Sequence, residues 1–160
     1  MESRFDDDGG GTGFGADLIE AGYVLSGGDG CIAQARRDAA DFLTRARDDR
    51  GVDVSPRAMD LTQLVVSELV TNVRKYAPGP ASMQLRVSGA MVEVVVRDSD
   101  PTVPLVGVAD PARIGQHGLE IVQAVAHDLV VEPQPDGKRV VARIVLADPP
   151  GRDAAAHRPW

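Results

Sequence analysis

The stretch Glu68-Leu69-Val70-Thr71-Asn72-Val73 sets a carboxylate and a carboxamide four positions apart among apolar neighbours. On a helix, positions i and i+4 share one face, so both polar heads point the same way. A carboxylate takes or gives a proton and a carboxamide oxygen is a ligand for a hard cation, so the pair could hold a water and a divalent cation beside a phosphate. The plain alternative is a polar stripe on the solvent face of an amphipathic helix. Arg74 and Lys75 follow directly. Cations at a helix C-terminus complement its dipole whatever the function, and here they would also offer positive charge to a phosphate.

Two further groups of residues carry possible chemistry. In Val92-Glu93-Val94-Val95-Val96-Arg97-Asp98 the valines at 92, 94 and 96 share one face of a strand, and Asp98 continues their series. An inward carboxylate needs donors to offset its desolvation, and a ligand amine such as that of adenine is one source. A turn aspartate bonding its own backbone across Asp98-Ser99-Asp100-Pro101 is the other reading. Gly115-Gln116-His117-Gly118-Leu119 precedes a helical stretch, where glycines let backbone N–H groups approach a phosphate; an ordinary flexible loop has the same composition. Arg113 lies two residues upstream, and His117 is a loop residue within reach of the same phosphate. The three histidines, at 117, 127 and 157, have no metal-ligand spacing. No Ser-His-Asp or Cys-His set can be assembled, and no Walker-type Gly-Lys-Ser/Thr occurs.

The elements that must position these residues are legible from periodicity. Tyr23-Val24-Leu25 predicts a short strand, and Ile32, Ala35, Ala39, Phe42 and Leu43 predict a helix over 32–47. Ser55-Pro56 is a helix start, Ser as cap and Pro at the first position, for a helix carrying Leu61, Leu64, Val65, Leu69 and Val73 and stopped by Pro78-Gly79-Pro80. Met83, Leu85 and Val87 alternate with polar residues, and Gly89-Ala90 turns them into the strand ending at Asp98. A Pro-studded loop over 99–114 leads to a helix at Gly118–Ala126 and strands near Leu129–Val131 and Arg139–Leu146. Strands follow helices in blocks, which predicts a two-layer α/β sandwich: a mixed, mostly antiparallel sheet covered on one face by helices.

With 160 residues the chain suits one domain. Residues 17–147 are expected to form it, between an acidic, glycine-rich disordered leader at 1–16 and a disordered tail at 148–160. A net charge of −7 and 4% aromatic residues argue against a nucleic-acid partner, because phosphate is repelled and stacking platforms are few. Cys31 stands alone, so no disulfide framework exists. Without an apolar signal core or a membrane-length apolar run, a cytoplasmic protein that engages no membrane is expected.

Taken in order, Glu68-x-x-x-Asn72 on a helix, an aspartate at a strand end and Gly115-x-x-Gly118 before a helix resemble the ATP-binding domain shared by gyrase, histidine kinases and anti-sigma factor serine kinases, the GHKL superfamily. The phrase Ser67-Glu68-Leu69-Val70-Thr71-Asn72 through Gly79 looks most like the small anti-sigma regulatory branch abundant in actinobacteria, and the likeness covers roughly residues 22–147. By position, the resemblance implies Glu68 as general base, Asn72 as magnesium ligand and Asp98 as adenine contact. It also implies Arg113 as a lid arginine near the phosphates and Gly115 to Leu119 as a second glycine box, with Lys75 and His117 near the nucleotide. It implies the histidine kinase-like ATPase fold, ATP and Mg2+ as cofactors, and a sigma factor and an anti-sigma factor antagonist as partners, the antagonist phosphorylated on serine; a homodimer is common in that branch. The chain departs from the usual Asp-x-Gly-x-Gly with Asp98-Ser99-Asp100-Pro101-Thr102, has Tyr76 where many relatives have histidine, and has no hydroxyl residue in Gly137-Lys138-Arg139-Val140. These departures motivate a second expectation: a catalytically degenerate interaction module of the same fold that regulates transcription through partner binding alone.

Overall fold

The computed structural model describes residues 18–76, 79–100 and 117–147. The expected leader, the tail and most of the expected loop, with Arg113 and Gly115, lie outside the described residues. The elements run β1 (Leu18–Leu25), α1 (Cys31–Arg50), α2 (Pro56–Tyr76), β2 (Ala81–Ser88), β3 (Met91–Asp98), α3 (His117–Val125), β4 (Asp128–Gln134) and β5 (Gly137–Val145).

α1 buries Cys31, Ala35, Ala39, Phe42, Leu43 and Ala46, a helical stripe with small residues where α2 crosses it. It ends at Gly51, whose φ of 71° puts it in the left-handed region. There its N–H, with that of Val52, closes back on the Ala46 carbonyl. α2 begins as its sequence predicts: Ser55 Oγ accepts the Ala58 N–H at 3.0 Å ahead of the helix. Thr62, fully buried on this helix, donates its hydroxyl to the Ala58 carbonyl at 2.7 Å and so leaves no unsatisfied group in the core.

The sheet has five strands in the order β1-β2-β3-β5-β4, and each pairing is antiparallel. The expected two-layer architecture therefore holds, with its antiparallel character complete in the described pairs. β1 is longer than Tyr23–Leu25 because Ile19 and Ala21 continue its inward alternation. Helices cover one face, α1 over β1 and β2, α2 over β3 and β5, and α3 beside β4. Between the layers lie Met83, Leu85, Val87, Val92, Val94, Val96, Val140, Ala142 and Ile144 from the sheet and Val65, Val66, Leu69 and Val70 from α2. A buried leucine or valine contributes on the order of 1.5–3 kcal/mol to such a core.

Among the described residues no helix lies on the other face, which carries charge. Glu20, Arg86, Glu93, Arg143 and Asp128 stand opposite one another on successive strands. Arg143 reaches Glu93 and Asp128 at 2.9 Å each, and Arg86 lies 3.6 Å from Glu93. The bond to Glu93, followed by the nearby Asp128 charge, raises the Arg143 pKa further. Val95 and Val141, paired across β3 and β5, share the parity of Glu93 and Arg143 and are buried on this face.

Candidate functional site

α2 lies over the middle of the sheet and presents Glu68 and Asn72 on the side that meets α3. Asn72 is buried, 8% exposed, and Glu68 is half-buried, so the pair is not a solvent-facing polar stripe. The apolar residues between them explain the orientation: Leu69, Val70 and Val73 turn into the core and fix the helix's rotation. Arg74 and Lys75 are exposed at the C-terminal end of α2, placed for its dipole and for solvent.

Gly118 lies in the first turn of α3 and is buried against α2. A Cβ at this position would lie 2.8 Å from Glu68 Oε1 and 3.7 Å from the Glu68 backbone carbonyl oxygen. The glycine therefore lets the start of α3 press onto the Glu68 carboxylate, where N-terminal N–H groups and the helix dipole favour negative charge. The backbone of His117 opens the same helix. Leu119 is fully buried, so only its main chain faces the glycine-bearing end. The structure thus brings Gly118 of α3 against Glu68 of α2, with Asn72 one turn along the same helix.

Asp98 ends β3 on the helix-covered face, as its parity predicts, and is 8% exposed. Asp98 faces inward and also makes the turn bond, and the donor that offsets its desolvation comes from within the chain. Its Oδ1 accepts the Asp100 N–H at 2.9 Å, the local turn bond. Its Oδ2 is met at 2.9 Å by Nζ of Lys138, the residue opposite it on β5. The two side chains are 2% and 3% exposed. Lys138 Nζ also donates to the Asp100 carbonyl at 3.2 Å. The close approach of β5 depends on Gly137, where a Cβ would lie 1.8 Å from the Asp98 carbonyl oxygen and 2.9 Å from Ser99 Cα. Ser99 Oγ in turn donates to the Pro80 carbonyl at 2.7 Å, which ties this strand end to the exit of α2.

Lys138 is the residue that sequence reasoning missed. Lys138, Val140, Ala142 and Ile144 alternate inward as Val92 to Asp98 do, so the signal was a charged residue continuing an apolar series at a strand start.

The residues present fit the two ends of a magnesium nucleotide unequally. At the helix end, a carboxylate, a carboxamide and a bare glycine at a helix start suit phosphate and a small cation. At the strand end, the carboxylate is already satisfied from within the protein. Among the described residues no cluster of three His, Cys, Asp or Glu side chains could hold a metal on its own, and no helix is long and apolar enough to cross a membrane.

Comparison with known proteins agrees with the fold. Residues 32–144 match the histidine kinase-like ATPase domain family. The chain is similar to the RsbU and RsbW domains of Rv1364c from Mycobacterium tuberculosis, with a TM-score of 0.61, 13% identity, 82% of this chain covered and 33% of that one. At that identity the likeness is one of fold. A histidine kinase domain from the blue-light activated histidine kinase of Erythrobacter litoralis EL346 aligns with a TM-score of 0.41 at 26% identity, over 55% of this chain and 44% of that one. Among curated proteins none matches.

Proposed function

This chain belongs to the histidine kinase-like ATPase domain family, and from that premise we propose that it is a regulatory protein of the anti-sigma serine/threonine kinase type. It binds ATP with magnesium, holds a sigma factor and phosphorylates a serine of an antagonist protein. The observation that carries this reading is the seating of the Glu68 carboxylate against the bare Gly118 at the start of α3, with Asn72 buried one turn along the same helix.

When bound, ATP would supply the γ-phosphoryl group, with ADP as the leaving group, and magnesium would offset the charge on the phosphates. Asn72 would offer its side-chain oxygen to the cation, a small octahedral ion that fills the rest of its shell with phosphate oxygens and water. Glu68 takes the proton of the attacking serine hydroxyl and holds that oxygen in line. The N-terminal N–H groups of α3, opened by Gly118, face the phosphates. Arg113 and Lys75 contribute positive charge, which transfer needs more than it needs covalent help.

Titration calorimetry with ATP, with and without magnesium, tests the reading. The wild type is expected to bind in a magnesium-dependent way, Asn72→Ala to lose that binding, and Glu68→Ala to keep it while losing transfer. Unchanged binding by Asn72→Ala would sink the assignment.

A second reading has its own support in the buried Asp98–Lys138 pair: an interaction module whose nucleotide site is degenerate. Absence of ATP binding by a folded wild type, together with full partner binding by the Glu68→Ala, Asn72→Ala double variant, would favour it.

A further inference from the structure

We infer that Lys138 is a specificity-determining residue that closes the base-recognition end of the site, so that this protein takes nucleoside triphosphates by their triphosphate and does not select adenine. The inference rests on the nucleotide reading above and refines it. A carboxylate recognises the exocyclic amine of adenine only if a lone pair is open to it. Here Oδ1 of Asp98 holds the Asp100 N–H and Oδ2 holds the Lys138 ammonium, each at 2.9 Å. Each oxygen keeps a second lone pair, so burial is what closes the carboxylate: with side chains 2% and 3% exposed, the described surface offers a base edge no way in.

Replacement of the ammonium by a base amine is unfavourable for two reasons. A neutral amine is a weaker partner for a carboxylate than an ammonium. The displaced Lys138 would also remain a buried charge without its counter-ion, the costly outcome for any buried pair that loses one member. The backbone reinforces the closure, since Gly137 brings the start of β5 onto the Asp98 carbonyl and Lys138 also ties down the Asp100 carbonyl. At the other end the Glu68 carboxylate rests on Gly118, and among the described residues no ion pair is formed there.

Calorimetry of the full chain with ATP, GTP and magnesium tripolyphosphate reads this directly. The wild type is expected to bind the three within about threefold of one another. Lys138→Thr, which removes the ammonium and supplies a hydroxyl, is expected to bind ATP at least tenfold more tightly than the wild type does and more tightly than it binds GTP. Adding Asp98→Asn to that variant should cancel the gain. If Lys138→Thr does not fold, the wild-type comparison decides alone. A wild type that prefers ATP over GTP by tenfold or more, and loses the preference in Asp98→Asn, would overturn the inference and leave the nucleotide reading standing. Failure of every folded variant to bind any of the three would remove the nucleotide reading, and this inference with it.

Discussion

The two ends of the site place a carboxylate against a glycine in opposite ways. At Gly118 the neighbour is the tip of Glu68, a half-buried side chain between two helices. At Gly137 the neighbour is the main chain of Asp98 and Ser99, inside the strand pairing, and the Asp98 carboxylate is locked by a buried ammonium. One end is arranged so that a side chain can work; the other is arranged so that nothing moves. Polar groups in this fold thus divide between those whose partner is a movable side chain and those paired within the sheet, and sequence motifs do not distinguish the two.

The sharpest way to break this contrast is to remove one half of the buried pair. Asp98→Ala is expected to lower stability by about 3–5 kcal/mol, read from denaturant unfolding, because Lys138 is left charged and buried. The double replacement Asp98→Leu, Lys138→Met should recover most of that loss, since an apolar pair of similar volume needs no compensation. An additive double variant would show that the two residues are not coupled. Gly137→Ala comes next, at about 3 kcal/mol, because backbone must separate to admit the methyl group. Gly118→Ala should change stability by no more than about 1 kcal/mol, as the Glu68 tip swings aside and alanine is the better helix former. Its cost should fall instead on whatever Glu68 does, so a melting temperature near the wild type's with phosphotransfer lost is the expected combination.

A third buried polar group sets the small end of the scale. The Tyr23 hydroxyl has no hydrogen-bond partner among the described residues. Burial, and then the Asp38 charge, raises its pKa above the ordinary value of 10.0. Its neutral form is the one the fold accommodates, so its contribution is intact below about pH 10 and is lost as pH rises through the higher folded value. Tyr23→Phe should shift stability at neutral pH by no more than about 0.5 kcal/mol and flatten the decline above pH 10. A decline as steep as the wild type's would place the alkaline sensitivity elsewhere.

Most of the architecture was legible because the chain repeats its message. Ser55-Pro56 both predicts and caps α2, Met83 to Val87 alternate as they pack, and the Val92 to Asp98 series points where parity says. β1 was read short because alanine and glycine at 21 and 22 weaken its alternation. Glu68 and Asn72 were legible because a helix fixes i and i+4 locally. Lys138 was not, because its partner lies forty residues away on a strand that pairs out of sequence order, β3 with β5 rather than β4. A residue's parity can be read from one strand; its counterpart requires knowing which strand lies alongside.

The row of alternating charges on the uncovered face bears on how those strands find their alignment. β3 and β5 are nearly uniform ribbons of valine and its kin, Val92 to Val96 against Val140 to Ile144. Sliding one past the other by a single residue would turn every side chain over, which burial forbids; sliding by two keeps Val92 and Val94 against aliphatic partners but parts Asp98 from Lys138 on the inner side. The outer row also detects the slide: Glu93 would face Val141 or Val145 instead of Arg143, and the row through Arg86 and Asp128 would break in the middle. The outer ion pairs, which add little to stability, and the buried Asp98–Lys138 pair thus mark the same alignment from opposite faces of the sheet, where the aliphatic residues between them do not distinguish it.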